Sequence, residues 1–204
     1  MICIIMELGY SKNLIELKNK DLSELDKFVK RFMKILEKYF EYVIISGYVA
    51  ILFGRNRSSE DIDVFIEKTD FDTFKQFYSK ISGTYECINT NSVEEAYEVY
   101  LSDNIPLRFS RKNEFIPNVE LKFPKSKLDE WTLSERKKVL INDYVLFISP
   151  LELEIPYKLY LGSQKDIEDA RFLYRFFEEY LDHNVLQQFN QKLKTREVFK
   201  KYIQ

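Results

Sequence analysis

Two carboxylates separated by one residue are the strongest chemical signal in the chain. Asp61 and Asp63 lie in the otherwise apolar segment Asp61–Ile66. Alternate residues of a β-strand point to the same face, so this pattern predicts a strand that carries both acids on one side. Like charges so close repel each other unless a cation lies between them, and divalent cations such as Mg²⁺ bind carboxylate oxygens. The pair therefore predicts a metal site, with a solvated edge strand as the alternative interpretation.

A turn of small residues precedes this strand. Ser46 and Gly47 follow the apolar run 42–45 and open a short apolar segment over 48–53. The free N–H groups at a helix start favour phosphate, and only a minimal side chain lets a phosphate approach the backbone. We therefore predict that Ser46 and Gly47 bind the β- and γ-phosphates of a nucleotide. Together with a metal site, this indicates phosphoryl or nucleotidyl transfer, which requires the charge on the phosphate oxygens to be neutralised.

The order of small residues, arginine, hydroxyl group and acids matches a known signature. The matching residues are Ser46-Gly47, Gly54, Arg57, Ser59 and Asp61-Ile62-Asp63. This segment resembles the nucleotidyltransferase superfamily, which has the fold of DNA polymerase β, and within it the small prokaryotic branch of AbiEii-type toxin–antitoxin nucleotidyltransferases. The resemblance covers residues 40–67 and departs from the family pattern at Ser46, where glycine is usual.

The resemblance implies a third carboxylate on a later strand, as a metal ligand or as the base for the attacking hydroxyl. Glu120, in an alternating segment over 115–123, is the candidate. Asp61, Asp63 and Glu120 are accordingly the expected catalytic and metal-binding residues, with two Mg²⁺ or Mn²⁺ ions as cofactors. The alternative for Glu120 is an exposed acid on an amphipathic strand, and Arg108 is a weaker polar candidate.

The resemblance also implies that lysines beyond the core face the nucleotide. The expected nucleotide-binding residues are Ser46, Gly47, Arg57, Ser59, Lys158 and Lys165. Lysine can hold a phosphate as a point charge. The run 163–169 has an equally good structural interpretation, because Ser163 and Asp166 have the spacing of a helix capping box.

The activity that the resemblance implies is transfer of a nucleoside monophosphate from a nucleoside triphosphate such as ATP to an acceptor hydroxyl, with release of pyrophosphate. The acceptor, whether a protein, a tRNA or a small molecule, stays open. A regulatory or nucleotide-binding protein of the same fold without turnover is the alternative, and a plain structural domain is a third interpretation. A protein partner or a homodimer is a further expectation.

The elements that would position these residues follow from apolar periodicity. Helices are predicted over 22–40, 48–53, 71–81, 151–161, 165–181 and 185–202, the fourth interrupted or restarted at Pro156 and the last as one or two helices. Strands are predicted over 42–45, 61–66, 85–88, 106–109, 115–123, 139–141 and 144–148, while 93–101 is ambiguous. The predicted class is α+β, a nucleotidyltransferase-like mixed sheet flanked by helices. Residues 1–149 form the predicted core and 150–204 a helical region packed on it.

Composition limits the classes of partner. The net charge of −2 argues against a broadly cationic nucleic-acid binder, and the basic run 136–138 is interpreted as a solvated face. Two cysteines, Cys3 and Cys87, make neither a metal cluster nor a disulfide framework. The apolar start over 1–6 is too short for a signal peptide, and no run reaches the roughly 20 residues of a membrane span. We therefore expect a soluble, cytoplasmic protein.

Overall fold

The computed structural model describes residues 7–11 and 14–203, so Cys3 and the apolar start lie outside the described residues. The strands are β1 Glu7–Ser11, β2 Leu14–Lys18, β3 Tyr42–Ile44, β4 Asp61–Ile66, β5 Tyr85–Cys87, β6 Leu107–Arg111, β7 Asn118–Lys122, β8 Lys137–Ile141 and β9 Tyr144–Ile148. They form one mixed sheet in the order β1-β2-β8-β9-β3-β4-β7-β6-β5. Both predicted acidic strands are therefore central in the described sheet, and the edge-strand interpretation of the aspartates is wrong.

Helices cover this sheet. They are α1 Glu24–Leu36, α2 Gly47–Leu52, α3 Phe71–Ile81, α4 Val93–Glu95 with a π-helical continuation Ala96–Leu101, α5 Lys127–Ser134, α6 Leu151–Leu161, α7 Gln164–Phe177, α8 His183–Lys192 and α9 Arg196–Tyr202. The predicted α+β class with a mixed sheet flanked by helices is confirmed. Helix α6 runs through Pro156 without a break, and the last predicted segment divides into α8 and α9.

Local sequence explains where the helices begin and end. Ser23 caps α1 in a capping box with Asp26, Asp70 caps α3, and Ser163 caps α7 by accepting from the Asp166 N–H. Gly162, with φ +72, ends α6 in the left-handed conformation that glycine adopts without strain. These caps fix the lengths of the elements that carry the site.

One face of β4 builds the main core and the other carries the acids. Ile62, Val64 and Ile66 are fully buried in the apolar cluster that includes Phe32 of α1 and Phe77 of α3. The two rings lie 6.5 Å apart in an edge-to-face arrangement that aromatic pairs favour. Because side chains alternate along a strand, Asp61 and Asp63 point away from this core.

The helices after β9 are in contact with the elements that carry the site. Helix α7 contacts α2, and the ring of Phe53 lies 4.7 Å from that of Phe177. Trp131 of α5 and Phe189 of α8 are 4.8 Å apart. Within residues 7–11 and 14–203, the helices are too short or too polar to cross a bilayer.

Candidate active site

The predicted acids lie on two adjacent parallel strands. Strand β4 pairs with β7 so that Asp61 is opposite Asn118 and Asp63 is opposite Glu120. Residues opposite each other in neighbouring strands present their side chains on the same face. The structure therefore brings Asp61, Asp63 and Glu120 to one face of the sheet.

Each of these acids already has a polar partner on that face. Asn118 donates from Nδ2 to Oδ1 of Asp61 at 2.7 Å, and Lys122 donates from Nζ to Oδ1 of Asp63 at 2.7 Å. Arg108 donates to Oε1 of Glu120 from Nε, also at 2.7 Å. These partners offset the mutual repulsion of the carboxylates.

The three acids differ in accessibility. Asp61 is exposed, and the side chain of Asp63 is 23% exposed, whereas that of Glu120 is only 11% exposed. Glu120 is therefore not the exposed surface acid of the alternative interpretation. The Arg108 guanidinium pairs with Glu120 there and so offsets the cost of burying its carboxylate.

The fit to a divalent cation rests on the two aspartates. In the described part of the chain, no three His, Cys, Asp or Glu side chains are grouped closely enough to hold a metal ion. Asp61 and Asp63 share a face and are accessible, and carboxylate oxygens suit Mg²⁺ and Mn²⁺. The pair fits a cation that displaces Lys122 from Asp63, whereas Glu120 is less exposed and is paired with Arg108.

The Ser46-Gly47 turn lies beside the acidic strand. The N–H of Ile45 donates to the carbonyl of Asp63 at 3.0 Å, which places the turn after β3 next to β4. Ser46 has φ +64 and ψ −136, a conformation that glycine adopts far more readily than serine. The departure from the family pattern at Ser46 therefore coincides with backbone strain in the turn.

Gly47 is in close contact with an arginine from the following loop. A Cβ added to Gly47 would lie 2.4 Å from Nη2 of Arg57 and 3.4 Å from Oγ of Ser59. The structure thus brings the predicted residues Arg57 and Ser59 to the turn. A side chain at position 47 would therefore displace the Arg57 guanidinium.

A buried ion cluster anchors that arginine. Asp169 of α7 is fully buried. It accepts hydrogen bonds from Nε and Nη2 of Arg57 at 3.1 and 2.9 Å, from Nε of Arg55 at 3.0 Å and from Nζ of Lys158 at 2.9 Å. Burial by itself raises the pKa of Asp169, but Lys158 and Arg57 outweigh it and hold this pKa below its usual value. Asp169 is therefore ionised at neutral pH.

The two predicted lysines have different positions. Lys158 is fully buried and lies 3.6 Å from Asp166 and 3.9 Å from Glu154, besides its contact with Asp169. Lys165 is exposed in the first turn of α7. Asp166 takes part both in the helix cap and in the lysine cluster. Its N–H donates to the Ser163 side chain, and its carboxylate faces Lys158.

A small cleft of about 40 Å³ opens beside the turn. Its lining includes Ser46, Phe65, Leu128, Glu154 and Tyr157. Burial raises the pKa of Glu154, although Lys158 and the Ser149 hydroxyl oppose the rise, and burial together with the charges of Asp129 and Glu154 raises the pKa of the Tyr157 hydroxyl. The walls of this small cleft are mainly apolar, with a few polar groups.

Several residues of the site were not predicted. Asn118 and Lys122 alternate with Glu120 along β7, so their shared face was readable from the sequence. Asp169 meets Arg57 across 112 positions, and no local pattern indicates that contact. The interpretation of the run 136–138 as solvated is wrong for Arg136, which is paired with Glu41 at 3.0 Å and lies over the Phe147 ring.

Solved structures are similar to this chain. An antigenic nucleotidyltransferase-like protein from Paracoccidioides brasiliensis aligns with a TM-score of 0.50 at 16% identity, covering 87% of this chain and 90% of its own. JHP933 from Helicobacter pylori aligns with a TM-score of 0.45 at 17% identity, covering 89% and 80%. No protein-family model and no curated protein matches the chain. The chain thus has a nucleotidyltransferase-like fold.

Proposed function

We propose that the protein is a metal-dependent nucleotidyltransferase. It transfers a nucleoside monophosphate from a nucleoside triphosphate to an acceptor hydroxyl, and pyrophosphate leaves. The observation that carries the proposal is the placement of Asp61, Asp63 and Glu120 on one face of β4 and β7, next to the Ser46-Gly47 turn. The nucleotidyltransferase-like fold supports it.

In this proposal Asp61 and Asp63 hold Mg²⁺ or Mn²⁺. The bound cation neutralises charge on the phosphate oxygens of the nucleotide. The two aspartates suit this role because both are accessible and face the same side of the sheet. Lys122 holds Oδ1 of Asp63 at 2.7 Å and so is the group that a cation would compete with.

Glu120 is proposed as the acceptor of the hydroxyl proton. The acceptor oxygen forms a bond to the α-phosphorus, the bond to the pyrophosphate oxygen breaks, and the hydroxyl proton passes to the Glu120 carboxylate. Arg108 orients this carboxylate through its contact with Oε1. The Arg108 side chain is 53% exposed and is also available to a substrate phosphate.

The triphosphate is proposed to lie along the Ser46-Gly47 turn. Arg57 adds positive charge there, since its guanidinium lies against Gly47, and the Ser59 hydroxyl is close by. Lys165 is exposed and can contact a phosphate directly, whereas Lys158 is buried and acts through the Asp169 cluster. The acceptor (a protein, a tRNA or a small molecule), the AbiEii-type branch and any partner or homodimer stay proposals from the sequence.

Pyrophosphate release tests this function. The protein is incubated with MgCl₂ and each α-labelled nucleoside triphosphate, and pyrophosphate and labelled products are measured. Asp61→Asn and Asp63→Asn should each lower the rate by about 100-fold or more, because each removes a carboxylate that holds the cation. Asp72→Asn, an exposed acid on α3, is the matched control and should retain the rate. An unchanged rate in both aspartate variants would contradict the assignment.

A second candidate is a nucleotide-binding regulatory protein without turnover. The pairing of Glu120 with Arg108 and of Asp63 with Lys122 favours it, because these contacts neutralise acids that catalysis would use. This candidate predicts that Mg²⁺ and a nucleoside triphosphate raise the melting temperature of the protein while no pyrophosphate appears.

A further inference from the structure

Arg57 connects the Gly47 turn to α7. One side of its guanidinium lies where a Gly47 side chain would be, 2.4 Å from the position of Cβ. Its Nε and Nη2 donate to the two carboxylate oxygens of Asp169 at 3.1 and 2.9 Å. Its Nη1 donates to the Ser58 carbonyl at 3.0 Å. The position of the guanidinium is thus fixed from three directions.

The contact with Asp169 determines the position of the Arg57 guanidinium most strongly. A fork-shaped pair between a guanidinium and a carboxylate fixes distance and orientation together, which a single hydrogen bond does not. Asp169 is fully buried, and its other partners, Lys158 and Arg55, keep the carboxylate itself from moving. Arg57, by contrast, is part of an irregular loop between α2 and β4.

We propose that Asp169 is a positioning residue for the turn: it holds the Arg57 guanidinium against Gly47 and thereby sets the shape of the phosphate site from α7. The nucleotide-binding part of this inference rests on the proposed function, whereas the coupling of Asp169 to Gly47 does not. If Asp169 only stabilised the packing of α7, its removal would destabilise the protein without changing what Gly47 tolerates.

Position 47 provides a sensitive test because one neighbour, the Arg57 guanidinium, occupies the space that a side chain would need there. Its φ lies outside the left-handed region, so alanine is not strained there. Alanine also favours a helix more than glycine does. The cost of Gly47→Ala therefore reports the presence of the Arg57 guanidinium over the turn.

The experiment is a double-mutant cycle read by urea denaturation. Gly47→Ala is made in the wild type, in Asp169→Asn and in Arg57→Ala, and the denaturation midpoint is measured for each pair. We expect Gly47→Ala to lower the denaturation midpoint in the wild type. In the Asp169→Asn and Arg57→Ala backgrounds the same substitution should lower the midpoint by less than about half as much, because the guanidinium is free to move in the first and absent in the second. Additive effects of Gly47→Ala and Asp169→Asn would overturn the proposal.

Two further variants keep the test decisive. Glu168→Gln removes an exposed partner of Arg55 and leaves Arg57 in place, so the full cost of Gly47→Ala should remain. If Asp169→Asn does not fold, Asp169→Glu is used instead. It retains the charge but displaces the carboxylate by one methylene, which should also reduce the fall in midpoint that Gly47→Ala causes. A full cost in the Asp169→Glu background would count against the proposal.

Nucleotide binding gives the second readout. With Asp61 and Asp63 intact, Asp169→Asn should raise KM for MgATP about tenfold with a smaller effect on kcat, because a misplaced Arg57 weakens phosphate binding. Glu168→Gln should bind as the wild type does, and a wild-type KM in Asp169→Asn would contradict the phosphate-site role. If the wild type binds no nucleotide, the proposed function fails while the denaturation cycle still decides whether Asp169 positions Arg57.

Discussion

Ser46 combines an unfavourable backbone conformation with a position in the proposed phosphate site. Its φ of +64 and ψ of −136 belong to glycine, and its side chain makes no capping hydrogen bond to α2. Backbone strain of this kind costs about 1–3 kcal/mol and persists where the surrounding structure enforces it. The strain at Ser46 comes from the chain reversal between β3 and α2, which the sheet and the helix both fix.

Replacing Ser46 with glycine should therefore stabilise the protein. We expect Ser46→Gly to raise the free energy of unfolding by about 1 kcal/mol, the relief of strain being partly offset by the greater freedom of glycine in the unfolded chain. Urea denaturation measures this change. Ser82→Gly is the control, because Ser82 has φ −61 and should only lose stability. A loss of stability in both variants would refute the strain argument.

Lys122 acts as an internal cation for Asp63. Removing it by Lys122→Met should strengthen Mg²⁺ binding about tenfold, since Asp61 and Asp63 then lack a protein cation on that side. The Mg²⁺ dependence of the melting temperature gives the affinity. Lys125→Met, which removes an exposed lysine, should leave it as in the wild type. Equal Mg²⁺ affinities in Lys122→Met and the wild type would show that Lys122 and Mg²⁺ do not compete.

At this scale the alternation of a strand explains what the sequence could predict. The two-residue repeat of side-chain direction along a strand is enough to predict that Asp61 and Asp63 share one face. The same rule applies on β7 to Asn118, Glu120 and Lys122. The pairing of Asp63 with Glu120 depends on strand register, which the sequence leaves open. The contact between Arg57 and Asp169 depends on how α7 packs, so it could not be predicted.

Helix α7 is the element on which the loop after α2 depends. Its Asp169 accepts hydrogen bonds from Arg55 and Arg57 of that loop and from Lys158 of α6. A carboxylate whose pKa is lowered in the folded protein stabilises it above the unfolded pKa of about 4, and this contribution is lost as the pH falls through the folded value. The pKa of Asp169 is lowered in this way.

Acid should consequently weaken the packing of α7. We expect the free energy of unfolding of the wild type to fall as the pH is lowered through about 4 and below, and to fall less in Asp169→Asn, which has no proton to gain at this position. Urea denaturation at a series of pH values measures both slopes, with Glu168→Gln as the control that should follow the wild type. Parallel slopes in Asp169→Asn and the wild type would exclude Asp169 as a source of acid sensitivity.

Two of the elements that the sequence did not predict, β1 and α5, are short and weakly apolar. Strand β1 has no fully buried residue, so it lacks the alternation of a half-buried strand. Helix α5 has only Thr132 buried and no continuous apolar stripe, although the capping box of Ser126 and Asp129 marks its start. Long amphipathic helices such as α1 were predictable because their apolar face recurs over several turns.

The whole molecule contains one tryptophan, and it lies where the core meets the helices after β9. Trp131 of α5 contacts Phe189 of α8 with ring centroids 4.8 Å apart. Its fluorescence therefore reports the packing of the last helices, while far-UV circular dichroism reports the secondary structure of the entire chain.

These two signals should change together. If the core and the last helices unfold as one cooperative unit, the urea transitions followed by Trp131 fluorescence and by circular dichroism will coincide. Phe189→Ala should lower the common midpoint, since it removes about 3 kcal/mol or more of buried aromatic contact. A tryptophan transition at lower urea than the circular dichroism transition would show instead that residues 150–204 separate first.

The position of β2 in the sheet has a consequence for synthesis. Its parallel neighbour is β8, with Leu14 opposite Lys138, so the strand that covers it is translated much later. Ile15 and Leu17 end fully buried, yet they leave the ribosome long before β8 exists. Contacts between distant parts of a chain also form slowly. The apolar residues of the nascent β1–β2 segment therefore remain exposed until β8 has been synthesised, and chaperones would bind the growing chain at this segment.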